Sequence, residues 1–378
     1  FLQNRKVSFQ KKMEVIAKGL GEENIITMCL IFLCAGAFSG AVTAAGGVDS
    51  TVNLGLSLIP PHFAVAGLFI IGCFISVSMG TSVGTITALA PIAVGISKQT
   101  GFSMAICVAA VVCGAMFGDN LSFISDTTIV ATRTQGCQMS DKFKVNIRIA
   151  LPIAILTGLI YVLVGSGVEN AYAPAPIEWV KVIPYLVVLV TAVCGINVML
   201  VLFIGIVLSG IVGLWTGSFD IWGWNASMGL GINNMGELII VTLLAGGILE
   251  MIRFNGGIDW IILKLTSHVR TARGAELSIA GLVSFANLCT ANNTIALIMA
   301  GPIAKDIATN FNIPAKRSAS ILDIFSCFVQ GIIPYGAQLL MASGLAMISP
   351  IEIMQNLYYP YLLGFTTLLI ILLRKRKV

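Results

Sequence analysis

Apolar runs of roughly 17 to 24 residues recur along the whole chain, each long enough to cross a bilayer at about 1.5 Å of rise per residue. Only 10% of the 378 residues are charged, 57% are hydrophobic, and the mean hydropathy is +0.95. A soluble domain is typically about 25% charged, so the chain reads as a polytopic membrane protein. Its formal charge of +5 does not point to nucleic acid, because the basic residues fall in short segments between apolar runs. Nine cysteines lie scattered without metal-ligand spacing and read as small reduced hydrophobes. His62 and His268 flank predicted spans and read as loop residues. No signal peptide is visible, and a chain that starts at Phe1 is expected to be a fragment or a trimmed one.

One stretch does not fit a lipid-facing helix. Gly118-Asp119-Asn120-Leu121-Ser122-Phe123-Ile124-Ser125-Asp126-Thr127-Thr128 gathers two carboxylates, an amide and four hydroxyls between apolar runs. Such groups are costly in a membrane and tend to mark an ion or proton path. The stretch is therefore read as a broken helix that forms one wall of a cation site.

Residues 1–23 form a polar, basic, amphipathic lead-in, and a first span covers about 24–45. Residues 63–98 are apolar but interrupted by Ser76 to Thr85. Arms this short predict a re-entrant helical hairpin, whose non-helical tip is tolerated only when buried in protein or facing a wet cavity. Two ordinary short spans are the alternative. A span at about 102–117 opens into the polar stretch, a basic loop is expected at 133–148, and another span follows at 149–164. Residues 167–236 read as a linker with two transmembrane helices, ending in a segment whose Trp215, Trp222 and Trp224 suit the membrane interface.

The second half repeats the first. Gly256-Gly257-Ile258-Asp259 follows Gly46-Gly47-Val48-Asp49 at an offset of 210, and Pro302-Ile303-Ala304 follows Pro91-Ile92-Ala93 at 211. A second hairpin is predicted at 276–306 and a second broken span at Ser318 to Gln338. The repeats run from 24 to 166 and from 237 to 373, before a basic tail at 374–378. Lys264, Arg270 and Arg273 lie where repeat one has no basic residue, while the bases at 133–148 have no counterpart at 343–358. Basic residues stay cytoplasmic, so the repeats are expected to be inverted, with both ends of the chain inside. Inverted repeats with interrupted helices are an architecture of secondary transporters, and no Walker-type loop points to an ATP-driven pump.

Sodium favours oxygen ligands, and a broken helix offers free carbonyls at its negative end. A carboxylate desolvated beside a like charge holds its proton more tightly, which suits proton-for-sodium exchange. Asp126 is expected to be the main carboxylate, flanked by Ser125, Thr127 and Thr128. Asp119 is the second ligand or proton carrier, with Asn120 and Ser122 as neutral ligands. Asn292, Asn293, Thr294 and Gln338 are the candidates from repeat two, and Thr81, Ser82 and Thr85 are weaker ones at the first hairpin tip. Asp119 as a helix N-cap, and Thr127 and Thr128 bonding back within a helix, are the competing structural readings. Glu250 is either a proton carrier or the partner of Arg253. Asp49 and Asp259 read as helix caps, and Asp323 as a proton or packing residue.

The Gly118 to Thr128 stretch resembles the signature of NhaC-type sodium/proton antiporters, in which a Gly-Asp, a Ser and a Ser-Asp-Thr-Thr recur at this spacing. The match extends over nearly the whole chain, including the Gly-Gly-Val/Ile-Asp pairs and Asn292-Asn293-Thr294. It implies the ion-transporter superfamily and an all-α polytopic membrane protein of two inverted-topology repeats, each with a re-entrant hairpin and a broken transmembrane helix. Asn293-Thr294 also resembles the hairpin-tip sodium motifs of related carboxylate transporters, whereas repeat one has Gly84-Thr85. The expectation is a non-enzymatic antiporter of the plasma membrane that exchanges sodium for protons by alternating access. Sodium would be held through Asp126, Asp119, Asn293 and Thr294. No resident cofactor is implied; sodium is the transported or coupling ion. The alternative is sodium- or proton-coupled movement of a small organic anion or amino acid, and a homodimer is left open.

Overall fold

The computed structural model describes residues 7–58, 60–122, 125–165, 177–194, 196–257 and 271–373. All its regular elements are helical. The basic tail, Asp259, Lys264, His268, Arg270 and the Pro-rich 173–176 segment lie outside the described residues. Six helical stretches among the described residues are long and apolar enough to cross a membrane.

An amphipathic helix α1 (Phe9–Leu20) leads into α2 (Glu23–Ala44) and α3 (Gly47–Leu58). Asp49 lies exposed in the first turn of α3, where an acid suits the helix N-terminus. The first hairpin is α4 (Ala64–Met79) and α5 (Ser82–Thr100). Next comes the broken pair α6 (Met104–Leu121) and α7 (Asp126–Gln135), then α8 (Met139–Gly165). The linker holds three helices: α9 (Trp179–Val193), α10 (Val198–Trp215) and α11 (Ile221–Asn234). After α12 (Gly236–Phe254) comes the second hairpin, α13 (Ala272–Thr290) and α14 (Asn293–Asn310). The second broken pair is α15 (Ala315–Ile332) and α16 (Ala337–Ala346), followed by α17 (Pro350–Met354) and α18 (Tyr358–Leu373).

Three expectations change. The loop expected at 133–148 is helical except for the turn at 136–138, and Lys142 within it is buried rather than solvated. The linker has an extra helix, α11, which packs on α2. There Gly36 and Gly231 approach so closely that a Cβ on either would overlap the other's carbonyl, the small-residue contact favoured between membrane helices. Finally, the span expected at about 102–117 continues as helix α6 to Leu121. The missing side chain at Gly118 serves packing, because a Cβ there would overlap Ser76 of α4.

From the hairpins onward the two halves share a register at an offset of 211 residues. Each hairpin turns through a left-handed residue, Gly80 (φ 68°) and Ala291 (φ 49°), followed by an N-cap, Thr81 and Asn292. Ser76 donates to the carbonyl of Ala115 at 2.6 Å, and Asn287 donates to that of Ser326 at 2.6 Å. The helix ends also correspond: α6 stops at Leu121 and α7 starts at Asp126, as α15 stops at Ile332 and α16 starts at Ala337. In this register the counterpart of Asn293-Thr294 is Ser82-Val83, not Gly84-Thr85. Packing is reciprocal: α7 lies against α14 of the other half, and α16 lies against α5.

Candidate cation site

Both hairpin tips and both breaks meet around one cavity of about 190 Å³. Tip one contributes Thr81 and Ser82, break one Asp119, Ser125, Asp126 and Thr127, tip two Asn292, Asn293 and Thr294, and break two Gln330 and Gln338. Thr27, Met28 and Ile31 of α2 complete the wall.

Asp119 sits in the last turn of α6 and is only 3% exposed. Ser82 holds it twice, through its backbone N–H to Oδ1 at 3.1 Å and its hydroxyl to Oδ2 at 2.6 Å. The carboxylate thus meets the N-terminus of α5, where the helix dipole favours negative charge. Gln338 donates to Ser82 Oγ at 3.0 Å, and Gln330 donates to Gln338 Oε1 at 2.7 Å and to the Ala291 carbonyl at 3.0 Å. A chain of hydrogen bonds therefore runs from Asp119 through tip one and break two to tip two.

Asp119 is not an N-cap; the N-cap of α7 is Ser125. Asp126, the expected main carboxylate, occupies the first turn of α7 and is exposed on the open side of the cavity. Asp119 differs from it in being buried and in accepting two hydrogen bonds from Ser82. Thr127 and Thr128 do not bond back within their helix. They reach across the break, Thr127 to the Asp119 carbonyl at 3.3 Å and Thr128 to that of Ser122 at 2.8 Å. Ser125 and Thr127 share a bond of 2.7 Å. The Asn120 amide turns away from the cavity and donates to the Met116 carbonyl at 2.9 Å. Thr85 is buried but bonds back to the Thr81 carbonyl at 2.9 Å and stays outside the cavity wall. Asn292 caps α14 by accepting from Ile295 N at 3.0 Å. Glu250 is apart from this cavity, bridging Lys18 at 2.6 Å and Arg253 at 3.1 Å.

Sequence reasoning missed a buried ion pair directly behind the wall. Lys142 of α8 meets Asp323 of α15 at 2.9 Å, the side chains 1% and 0% exposed. The only hint in the sequence was the four-residue spacing of Lys142 and Asn146, which puts both on one helix face. Gln330 was also missed; it lies 211 residues beyond Asp119.

A model of the Na+/H+ antiporter family matches residues 2–166 and 173–374, and the chain belongs to that family. It is similar to a protein of Alkalihalophilus pseudofirmus named Na(+)/H(+) antiporter NhaC, at 24% identity over 86% of this chain and 77% of that one. A shorter likeness, 27% identity over 42% of this chain and 33% of the other, links it to the Malate-2H(+)/Na(+)-lactate antiporter of Bacillus subtilis. Among solved structures it is similar to the YdaH transporter of Alcanivorax borkumensis, with 13% identity, a TM-score of 0.45, and coverage of 97% and 89% of the two chains. With its apolar helices, membership of this family makes the chain a multi-pass membrane protein.

Proposed function

We propose that this protein exchanges sodium ions for protons across the plasma membrane by alternating access, with Asp119 as the carboxylate that takes either cation. One observation carries the reading: a buried carboxylate lies where both hairpin tips and both breaks converge, among neutral oxygen donors. A hard cation that sheds water needs such oxygens. Sodium and a proton compete for the same two carboxylate oxygens, so occupancy by one excludes the other. Asp126, on the open side, serves as an accessory ligand, and Ser125, Thr127, Asn293 and Thr294 supply neutral oxygens.

No Lys, Arg or His among the described residues lines the cavity. An organic anion would lack a basic partner there, which favours a bare cation over a carboxylic or amino acid. We read the halves 24–166 and 237–373 as inverted repeats with both chain ends cytoplasmic; the shared register and the reciprocal packing support this. The test is transport in proteoliposomes. Added sodium is expected to dissipate a preset pH gradient with no organic solute present. An absolute need for a carboxylic or amino acid would reverse the assignment.

A further inference from the structure

The Lys142 ammonium has three partners, and all are oxygens: the Asn120 carbonyl at 3.0 Å, Thr128 Oγ1 at 2.6 Å and Asp323 Oδ2 at 2.9 Å. Asn146 donates to the same carbonyl at 3.1 Å and to the same carboxylate oxygen at 2.7 Å. The neighbouring Asn120 Oδ1, Asn146 Oδ1 and Asp323 Oδ1 are buried and have no donor among the described residues. A carbonyl at the end of a half-helix, a hydroxyl and a carboxylate are what a sodium site is made of. Here the site is filled by a side chain.

Its position ties it to the exchange cavity. Asp119 and Thr127 line that cavity, and the next residue of each, Asn120 and Thr128, binds the ammonium. One charge thus holds both rims of break one, and Asp323 anchors it to the other half.

Packing does not demand an ion pair here. At the 211-residue offset, Lys142 corresponds to Ile353 and Asp323 to Val112, both fully buried, where α17 packs on α6. The same fold fills the equivalent junction with hydrocarbon. A buried ion pair is often no more stabilising than apolar residues of similar volume, so stability alone is a weak reason for the charges.

We propose that Lys142 is a built-in cation: its ammonium fills an oxygen site behind the exchange cavity and, by holding both rims of the break, positions Asp119 for the exchanged ion. This rests on the sodium/proton reading above. Lys142 is on this view a positioning residue, and removing it opens a second site for a small cation.

The test compares the full chain with Lys142→Ala and with the double variant Lys142→Ile/Asp323→Val, which copies the apolar junction of the other half. Sodium-driven proton flux is measured in proteoliposomes against sodium concentration. In Lys142→Ala, sodium dependence is expected to become more cooperative than in the parent, because a second ion enters the emptied site. In the double variant the second site is gone. Its sodium KM is expected to rise roughly tenfold, as for lost support behind a metal ligand, with the maximal rate kept within about twofold. A folded Lys142→Ala with unchanged cooperativity overturns the proposal. Should that variant not fold, the double variant decides: an unchanged KM overturns the proposal, whatever its maximal rate. Absence of sodium-driven flux in the parent would instead remove the functional reading on which this rests.

Discussion

Break one and break two occupy equivalent places in the chain, yet only one carries charge. At the position where α6 presents Asp119 to tip one, α15 presents Gln330 to tip two. The carboxylate accepts two hydrogen bonds from Ser82, whereas the amide donates to Ala291 O and Gln338 Oε1. Ser125, Asp126 and Thr127 likewise correspond, at the offset of 211, to Gly336, Ala337 and Gln338. Equivalent places in the two halves thus present one acidic wall and one neutral wall. The neutral wall adds oxygens without adding a second buried charge, which would be costly to desolvate.

The comparison breaks first at Asp119. Asp119→Asn is expected to lower sodium-driven proton flux at least roughly a hundredfold, the scale of losing a group that carries the proton. Adding Gln330→Asp to Asp119→Gln is not expected to restore flux, because a carboxylate at 330 would face the Ala291 carbonyl. Recovery in the liposome assay would mean that the two walls are interchangeable.

Ser82→Ala sharpens the same point. It leaves the backbone N–H on Asp119 but removes the hydroxyl, so sodium KM should rise roughly tenfold, as for a lost partner behind a metal ligand. Asp126→Asn should cost less, about threefold in KM, since the group is exposed and screened. An effect equal to that of Asp119→Asn would return Asp126 to the central role that the sequence suggested. The smallest effects concern the hairpin turns, read by thermal unfolding in detergent. Gly80→Ala should destabilise by about 1 to 2 kcal/mol and Ala291→Gly should stabilise by a similar or smaller amount, the cost of a left-handed residue with a Cβ.

The common spacing of the two halves was legible in part: Pro91 and Pro302 stand at the offset that the hairpins and breaks follow. The polar stretch was legible because carboxylates are rare and costly among membrane helices. The different burial of its two acids was not. Asp119 and Asp126 look alike in sequence, and only tip one, arriving from 37 residues upstream through Ser82, separates them. The packing role of Gly118, close approach to Ser76, was hidden for a related reason. Lys142 was hidden most completely. Among Lys144 and Arg148, which are exposed, it reads as one more surface base, and its partner Asp323 lies 181 residues further along. Tertiary pairing of that range leaves no local trace.

The reciprocal seating of α7 against α14 has a consequence for how the protein is made. Gln135 of α7 donates to the Gly301 carbonyl at 2.8 Å and accepts from Ser318 at 2.8 Å, yet both partners are translated more than 160 residues later. Within the first half α7 is held by α6 and α8, but the two partners of Gln135 belong to the second half. The polar face of α7 at Gln135 is therefore satisfied only once both halves are in place.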